Sequence, residues 1–172
     1  MTTTAVYTIG HSNKPIHHFL ALLDQYKIEV VADVRSNPFS RYAKQFDSDN
    51  MKRAIIRAGL KYVFLGRELG GKPKDEQLYR ADGDLDYEKL AGTALFRSGF
   101  ERLLNGIRVY RVALVCGEEN PEGCHRRLLI GKNLHACGVP VFHIRGDGTL
   151  QTEDDLAPRP KDEDVTQLSL FS

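Results

Sequence analysis

Apolar residues along this chain follow two different patterns. Short runs rich in β-branched residues predict strands, over residues 5–10, 28–35, 61–66, 110–117 and 140–146. Segments whose apolar residues recur every three or four positions predict helices, over residues 15–26, 48–60, 87–107 and 122–138. We expect the third of these helices to break near Ser98–Gly99. Strands that alternate with helices favour parallel pairing, because each crossover then runs through a helix.

The pattern therefore predicts an α/β fold. We expect a single-domain, three-layer structure with a mainly parallel sheet of about five strands and helices on both faces. This domain spans residues 1–150. Residues 67–86 are polar and rich in glycine, which predicts a long functional loop or partial lid. Residues 151–172 carry many acids and no apolar period, which predicts a flexible acidic tail.

Composition narrows the class of protein. A chain of 172 residues with 41% hydrophobic residues is typical of one globular domain. No apolar run approaches the ~20 residues of a membrane helix, and the N-terminus does not resemble a signal peptide. Three cysteines do not form a disulfide framework, so we expect a cytoplasmic protein with no membrane partner.

The net charge of +1 hides an asymmetry. Residues 151–172 hold six acids and two bases, which leaves 22 bases and 17 acids in the body. A basic body is compatible with an anionic partner such as DNA or a nucleotide. Charge alone favours the simpler interpretation of ordinary surface charge.

Polar side chains follow every predicted strand at its carboxyl end, where open parallel sheets bind their ligands. Candidate catalytic residues at these ends are Cys124, His125, Asp33, Glu118, Cys116 and His11. Candidate anion-binding residues are Arg35, Ser40, Arg41 and Arg126. Each residue alone has a structural explanation, such as a turn cap for Asp33. Their recurrence at every strand end predicts one site.

The segment between the fourth strand and the last helix is the richest in reactive groups. A helix that begins near Cys124 offers free N–H groups and a positive dipole end beside Arg126, which predicts an anion site suited to phosphate. The same surroundings should lower the pKa of Cys124 and make it a nucleophile, unless it is simply a buried cysteine. Cys116, Cys124, His125 and His11 lack the short Cys-x2-4-Cys spacing of structural zinc sites, so no metal is assigned. No cofactor follows from the sequence.

Four blocks in order resemble one known family. These blocks are YTIGHSN, VVADVRSNPFSRY, YVFLGRELGG and VCGEENPEGCHRRLLI, and they extend over most of residues 5–146. Together they resemble the bacterial and archaeal family called domain of unknown function 488. The resemblance implies that the strand-end residues form one constellation. It implies no reaction, because the family's function is unassigned.

The stretch QLSLF near the end of the chain resembles the pentapeptide by which bacterial polymerases and repair proteins bind the sliding clamp of DNA replication. The resemblance implies that Gln167 hydrogen-bonds at a pocket rim while Leu168, Leu170 and Phe171 fill apolar pockets. Ser169 matches the remaining position. Burial of each apolar side chain contributes ~1.5–3 kcal/mol before ordering costs. The competing interpretation is that this segment packs on the body of the same molecule.

The leading hypothesis is a DNA- or nucleotide-associated protein of replication or repair, recruited to the sliding clamp. In its enzymatic version, cysteine and histidine residues act on a nucleic-acid group, with Asp33 or Glu118 as general base. Two alternatives stay open, a non-enzymatic DNA-binding adaptor and an enzyme acting on a phosphorylated metabolite. The sequence shows no helix-turn-helix, zinc finger or exposed aromatic platform that would favour the adaptor.

Overall fold

A computed structural model describes residues 4–156 of the chain. The clamp-binding-like residues lie outside the described residues; they are Gln167, Leu168, Ser169, Leu170 and Phe171. Among residues 4–156, no helix has both the length and the apolar character needed to cross a membrane.

A six-stranded sheet lies at the centre of the fold. Its strands are β1 Val6–Gly10, β2 Val30–Asp33, β3 Lys61–Phe64, β4 Val112–Cys116, β5 Val141–Ile144 and β6 Leu150–Gln151. Their order is β3-β2-β4-β1-β5-β6, and the first five are parallel. The five predicted strands are confirmed. The additional strand β6 returns antiparallel to β5 after a turn at Gly148, whose φ is +87°.

Helices cover both faces of the sheet, as predicted. They are α1 Ile16–Gln25, α2 Ser48–Arg57, α3 Gly66–Leu69, α4 Tyr87–Ala91, α5 Ala94–Ile107, α6 Lys132–Ala136 and α7 Glu153–Leu156. A π-helical turn, Arg126–Gly131, leads directly into α6. Along β4, Val112 and Leu114 face α3 to α6, whereas Ala113 and Val115 face α1 and α2. Burial on both faces explains why this strand is a continuous apolar run.

Two predicted boundaries are wrong. The third predicted helix breaks at Gly92–Thr93 rather than near Ser98–Gly99, because the Thr93 side chain caps α5 by accepting from the N–H of Phe96. Gly99 lies inside α5, where a Cβ would come within 2.2 Å of Glu68 Cβ on α3. This glycine permits close helix packing and does not end the helix. The predicted loop 67–86 also contains regular structure, namely part of α3 and a 3-10 turn at Glu76–Leu78.

A buried polar chain fixes α7 to the sheet. Arg126 Nε donates to Thr8 Oγ1 over 3.1 Å, so the Thr8 hydroxyl donates in turn to His143 Nδ1 over 2.7 Å. The Nε2–H of His143 then donates to Glu153 over 2.9 Å. Glu153 also pairs with Arg127 over 3.1 Å. The helix after β4, the central strand β1 and α7 therefore form one connected unit.

Candidate functional site

A cavity of about 360 Å³ opens where β1, β2 and β4 end. Six of the ten candidate site residues in the described chain line it, and they are His11, Arg35, Ser40, Cys116, Glu118 and His125. The other four do not line it, and they are Asp33, Arg41, Cys124 and Arg126. The ends of β1, β2 and β4 therefore meet at one cavity, which is lined by only part of the predicted set.

Two thiols and an imidazole meet at the floor of this cavity. His125 Nδ1 lies 3.7 Å from Cys116 Sγ and 3.9 Å from Cys124 Sγ. His125 Nε2 lies 2.9 Å from the carbonyl oxygen of Val34. Because a carbonyl only accepts, Nε2 carries the ring proton and the Nδ1 lone pair points to the sulfurs. The three ligand atoms lie within 4.8 Å of one another, close enough to surround a metal ion.

The two thiols differ in acidity, and Cys116 is the more acidic of the two. The pKa of Cys116 is lowered to about 7, because the Cys124 thiol and the backbone N–H groups of Gly117 and Glu118 donate to its sulfur. The pKa of Cys124 is raised to about 12 by that same hydrogen bond and by burial. The predicted acidic Cys124 is therefore wrong. The hydrogen bond between the two thiols is the largest cause of this difference, and the N–H groups of the loop after β4 add to it.

Asp33 lies outside the cavity and its oxygens are fully engaged, which does not support its predicted role as general base. Its carboxylate is fully buried and accepts hydrogen bonds from Arg35 Nε and Nη2, each over 2.8 Å. Tyr62 donates a further hydrogen bond to it over 2.6 Å. Burial opposes the charge on Arg35, but the hydrogen bonds to Asp33 raise the pKa of Arg35 overall. Asp33 is thus the counter-ion that holds Arg35 at the cavity wall.

His11 also holds Arg35 in position. Its Nδ1 donates to the carbonyl of Ser12 over 2.7 Å, and its Nε2 accepts from Arg35 Nη1 over 3.1 Å. The ring stacks on Phe46 with 4.6 Å between centroids. Burial, together with the neighbouring cation of Arg35, lowers the pKa of His11 to about 4. His11 is therefore neutral near pH 7 and orients Arg35.

Arg126 does not reach the cavity, which corrects its predicted role in anion binding. Its guanidinium is fully buried and donates to Thr8 and to the backbone carbonyls of Glu118 and Glu119. Gly10 lets the backbone of Glu118 lie close to the end of β1, because a Cβ at Gly10 would lie 1.7 Å from the Glu118 carbonyl oxygen. Arg126 thus positions the loop that donates to Cys116.

The loop after β2 forms one wall of the cavity. Ser40 Oγ accepts from the N–H of Tyr42 over 3.2 Å and of Ala43 over 3.1 Å, so this hydroxyl mainly shapes the loop. Arg41 is exposed outside the cavity, so its direct contact with a bound anion is not supported. Phe39 lines the cavity and remains 64% exposed.

Sequence reasoning missed the aromatic and cationic groups of the rim. Besides Phe39, the cavity is lined by Tyr87 and Lys72. Lys72 is held there by its own N–H, which donates to Ser36 Oγ over 2.8 Å. Phe39 could have been identified in the sequence as an aromatic residue in a loop whose apolar residues follow neither a helical nor a strand period.

Comparison with known proteins identifies one family. A family model described as "Domain of unknown function DUF488" matches residues 15–132. The matched segment includes Arg35, Cys116, Cys124 and His125, whereas His11 lies before it. No curated protein and no solved structure matches the chain.

Proposed function

Because the chain belongs to the DUF488 family of unknown function, its activity has to be inferred from its own residues. We propose that it is a Cys/His-dependent enzyme acting on nucleic acid or a nucleotide and recruited to the bacterial sliding clamp. The observation that carries the enzymatic part is the convergence of Cys116 and His125 on one open cavity.

The cavity has the features of an active site. Its volume of about 360 Å³ falls in the usual range for small-molecule sites, and it lies at the carboxyl ends of parallel strands. A thiol and an unprotonated imidazole nitrogen face it, which is the pair that cysteine-dependent catalysis requires. Glu118 is an exposed carboxylate at its edge and remains the candidate for proton transfer.

The rim supports a substrate that contains a base and a phosphate. Phe39 presents an exposed ring, and stacking of one base on an aromatic side chain contributes about 1–3 kcal/mol. Lys72 is exposed at the cavity and offers a cation for a phosphate oxygen. Phe39 favours nucleic acid over a phosphorylated metabolite that lacks a ring.

The terminal QLSLF motif supports recruitment to the sliding clamp. Ten residues separate Leu156 from Gln167, and they span at most about 35 Å when extended. A clamp-bound molecule would therefore stay close to the DNA inside the ring. Tethering of this kind raises the local concentration of enzyme without new contacts to DNA.

The enzymatic proposal is tested with labelled DNA substrates that carry common lesions, in the presence and absence of clamp. We expect conversion of one substrate class by the wild type and by Cys137→Ser, an exposed cysteine that serves as the matched control. Cys116→Ser should abolish the conversion. Salt-dependent DNA binding with no conversion of any substrate would favour the adaptor instead. Binding of a phosphorylated metabolite with no affinity for DNA would favour the metabolite enzyme.

The clamp proposal is tested separately by titrating purified clamp with the full chain. The wild type should bind with micromolar affinity, since ordering of the peptide offsets much of its apolar burial. The double variant Leu170→Ala/Phe171→Ala should show no measurable binding. Equal affinity of the two proteins would remove the clamp from the proposed function.

A further inference from the structure

We propose that Cys116, Cys124 and His125 together bind a zinc ion whose fourth coordination position opens into the cavity. The inference rests on the proposed function only in taking this cavity as the active site. It replaces the sequence-based view that assigned no metal. Cys116 ends β4 and Cys124 precedes the π-helical turn. The two cysteines therefore lack the short spacing by which zinc sites are recognised in a sequence.

The distances between the three side chains fit a tetrahedral ion. Zinc–sulfur bonds of about 2.3 Å and zinc–nitrogen bonds of about 2.0–2.1 Å place sulfur and nitrogen about 3.5 Å apart. The observed separations from His125 Nδ1 are 3.7 Å to Cys116 Sγ and 3.9 Å to Cys124 Sγ. These two separations exceed the tetrahedral value by a few tenths of an ångström, and all three ligand atoms lie within 4.8 Å of one another.

The imidazole is already oriented as a ligand. The lone pair on His125 Nδ1 lies near both sulfurs. An ion between the three atoms would accept that lone pair directly. The opposite ring nitrogen donates to the Val34 carbonyl, the usual second contact of a zinc-binding histidine. Gly71 packs against the ring, since a Cβ there would lie 2.6 Å from His125 Cγ.

The charges around the site also favour an ion with an anionic fourth ligand. Arg126 is fully buried and, within residues 4–156, forms no ion pair with a carboxylate. A buried cation needs a compensating negative charge nearby. Zinc with two thiolates is neutral, and a hydroxide or an anionic substrate group at the fourth position supplies one negative charge. This charge would balance Arg126.

The site is open on one side, which distinguishes it from a closed structural zinc site. Cys116 and His125 line the cavity, whereas Cys124 lies behind them. Three protein ligands with an open position are typical of catalytic zinc, and two cysteines with one histidine form one such set. With zinc bound, Cys116 and His125 would act as ligands rather than as nucleophile and base, and a water in the open position would supply the nucleophile.

The test measures zinc directly on the full-length protein. Plasma mass spectrometry of protein purified under reducing conditions should give about one zinc per chain for the wild type and for Cys137→Ser. Competition with a chromophoric chelator should show affinity reduced by at least about 100-fold in Cys116→Ser and Cys124→Ser. Cobalt substitution should add thiolate-to-cobalt absorption that is weaker in each of these two variants. Circular dichroism checks that every variant is folded.

Each outcome separates the metal site from the proposed function. Reduced wild-type protein that binds no zinc tighter than about 1 µM overturns the inference, as does a disulfide between Cys116 and Cys124 in freshly isolated protein. Activity that survives chelation but requires Cys116 also overturns the metal site and leaves the enzyme intact. Stoichiometric zinc without turnover of any nucleic-acid substrate leaves the metal site intact and removes the proposed function.

Discussion

Replacement of Asp33 by asparagine tests whether this carboxylate is a structural counter-ion. Asp33 is fully buried and receives two hydrogen bonds of 2.8 Å from the Arg35 guanidinium. Asparagine keeps the size of the side chain but leaves the cation of Arg35 buried without a partner. Removal of one partner from a buried ion pair costs about 3–5 kcal/mol, and we expect a loss of that size. This is a large share of the stability of an ordinary domain.

Two further variants separate the ion pair from the rest of its network. Tyr62→Phe removes the 2.6 Å hydrogen bond to Asp33, together with a longer contact of 3.4 Å to Ser48, and should cost about 1.5–3 kcal/mol. The double variant Asp33→Asn/Arg35→Met removes both charges, and an apolar replacement of a buried pair is often neutral. We expect it to recover at least about 2 kcal/mol relative to Asp33→Asn.

Urea unfolding followed by circular dichroism at pH 7 measures these free energies by linear extrapolation. A loss below about 1 kcal/mol for Asp33→Asn, or no recovery in the double variant, would refute the structural role. The reasoning would also be refuted if Asp33→Asn kept its stability but lost turnover. Asp33 would then be the general base that the sequence suggested.

Three further predictions concern the ion pair beside the site, the histidine and the rim. The pKa of Glu119 is lowered to about 2 by its hydrogen bonds with Arg145, so the pair stabilises the fold above about pH 4.5 and this contribution is lost as the pH falls. The free energy of unfolding should fall less steeply below pH 4.5 in Glu119→Gln than in the wild type. This pH-dependent difference should be less than about 2 kcal/mol, because both side chains are partly exposed. Gly71→Ala should displace His125 and weaken zinc binding about 10–100-fold, measured by chelator competition. Phe39→Ala should weaken binding of single-stranded oligonucleotides by about 1–3 kcal/mol in fluorescence anisotropy, with little change in stability.

The chain offers matched controls for Gly71→Ala and Phe39→Ala. Gly106→Ala places its new methyl group in open space, so it should leave zinc affinity unchanged. Tyr42 is 87% exposed but outside the cavity, and Tyr42→Ala should keep the affinity for oligonucleotides. Equal losses in Phe39→Ala and Tyr42→Ala would assign DNA binding to the whole loop. If the free energy of unfolding of Glu119→Gln fell as steeply with decreasing pH as that of the wild type, the ion-pair account would be contradicted.

The fold was largely predictable because burial on both faces of a parallel sheet leaves strong signals. Runs such as residues 110–117 are apolar and rich in β-branched residues, and α1 keeps a clear helical period. Strand β6 was missed because it has two residues and depends on the turn at Gly148. The helix break was misplaced because a packing requirement at Gly99 resembles a helix end in sequence.

The candidate site was predictable in its location but not in the roles of its residues. The sequence places polar groups at strand ends, and parallel strands bring those ends together. It does not show which side chains are buried, so Asp33 and Arg126 were mistaken for residues that face a ligand. The order of acidity of Cys116 and Cys124 depends mainly on the hydrogen bond between the two thiols. The sequence alone does not show that these two side chains meet.

The attachment of α7 sets a boundary for dissecting the protein. Glu153 accepts hydrogen bonds from His143 and Arg127, and Leu156 is buried against the body. A chain shortened after Leu156 therefore retains every contact described for the cavity, and it would separate the proposed catalysis from the proposed recruitment. A chain shortened before Glu153 would instead leave a buried imidazole and a guanidinium without their acceptor, so its failure would say nothing about the terminal motif.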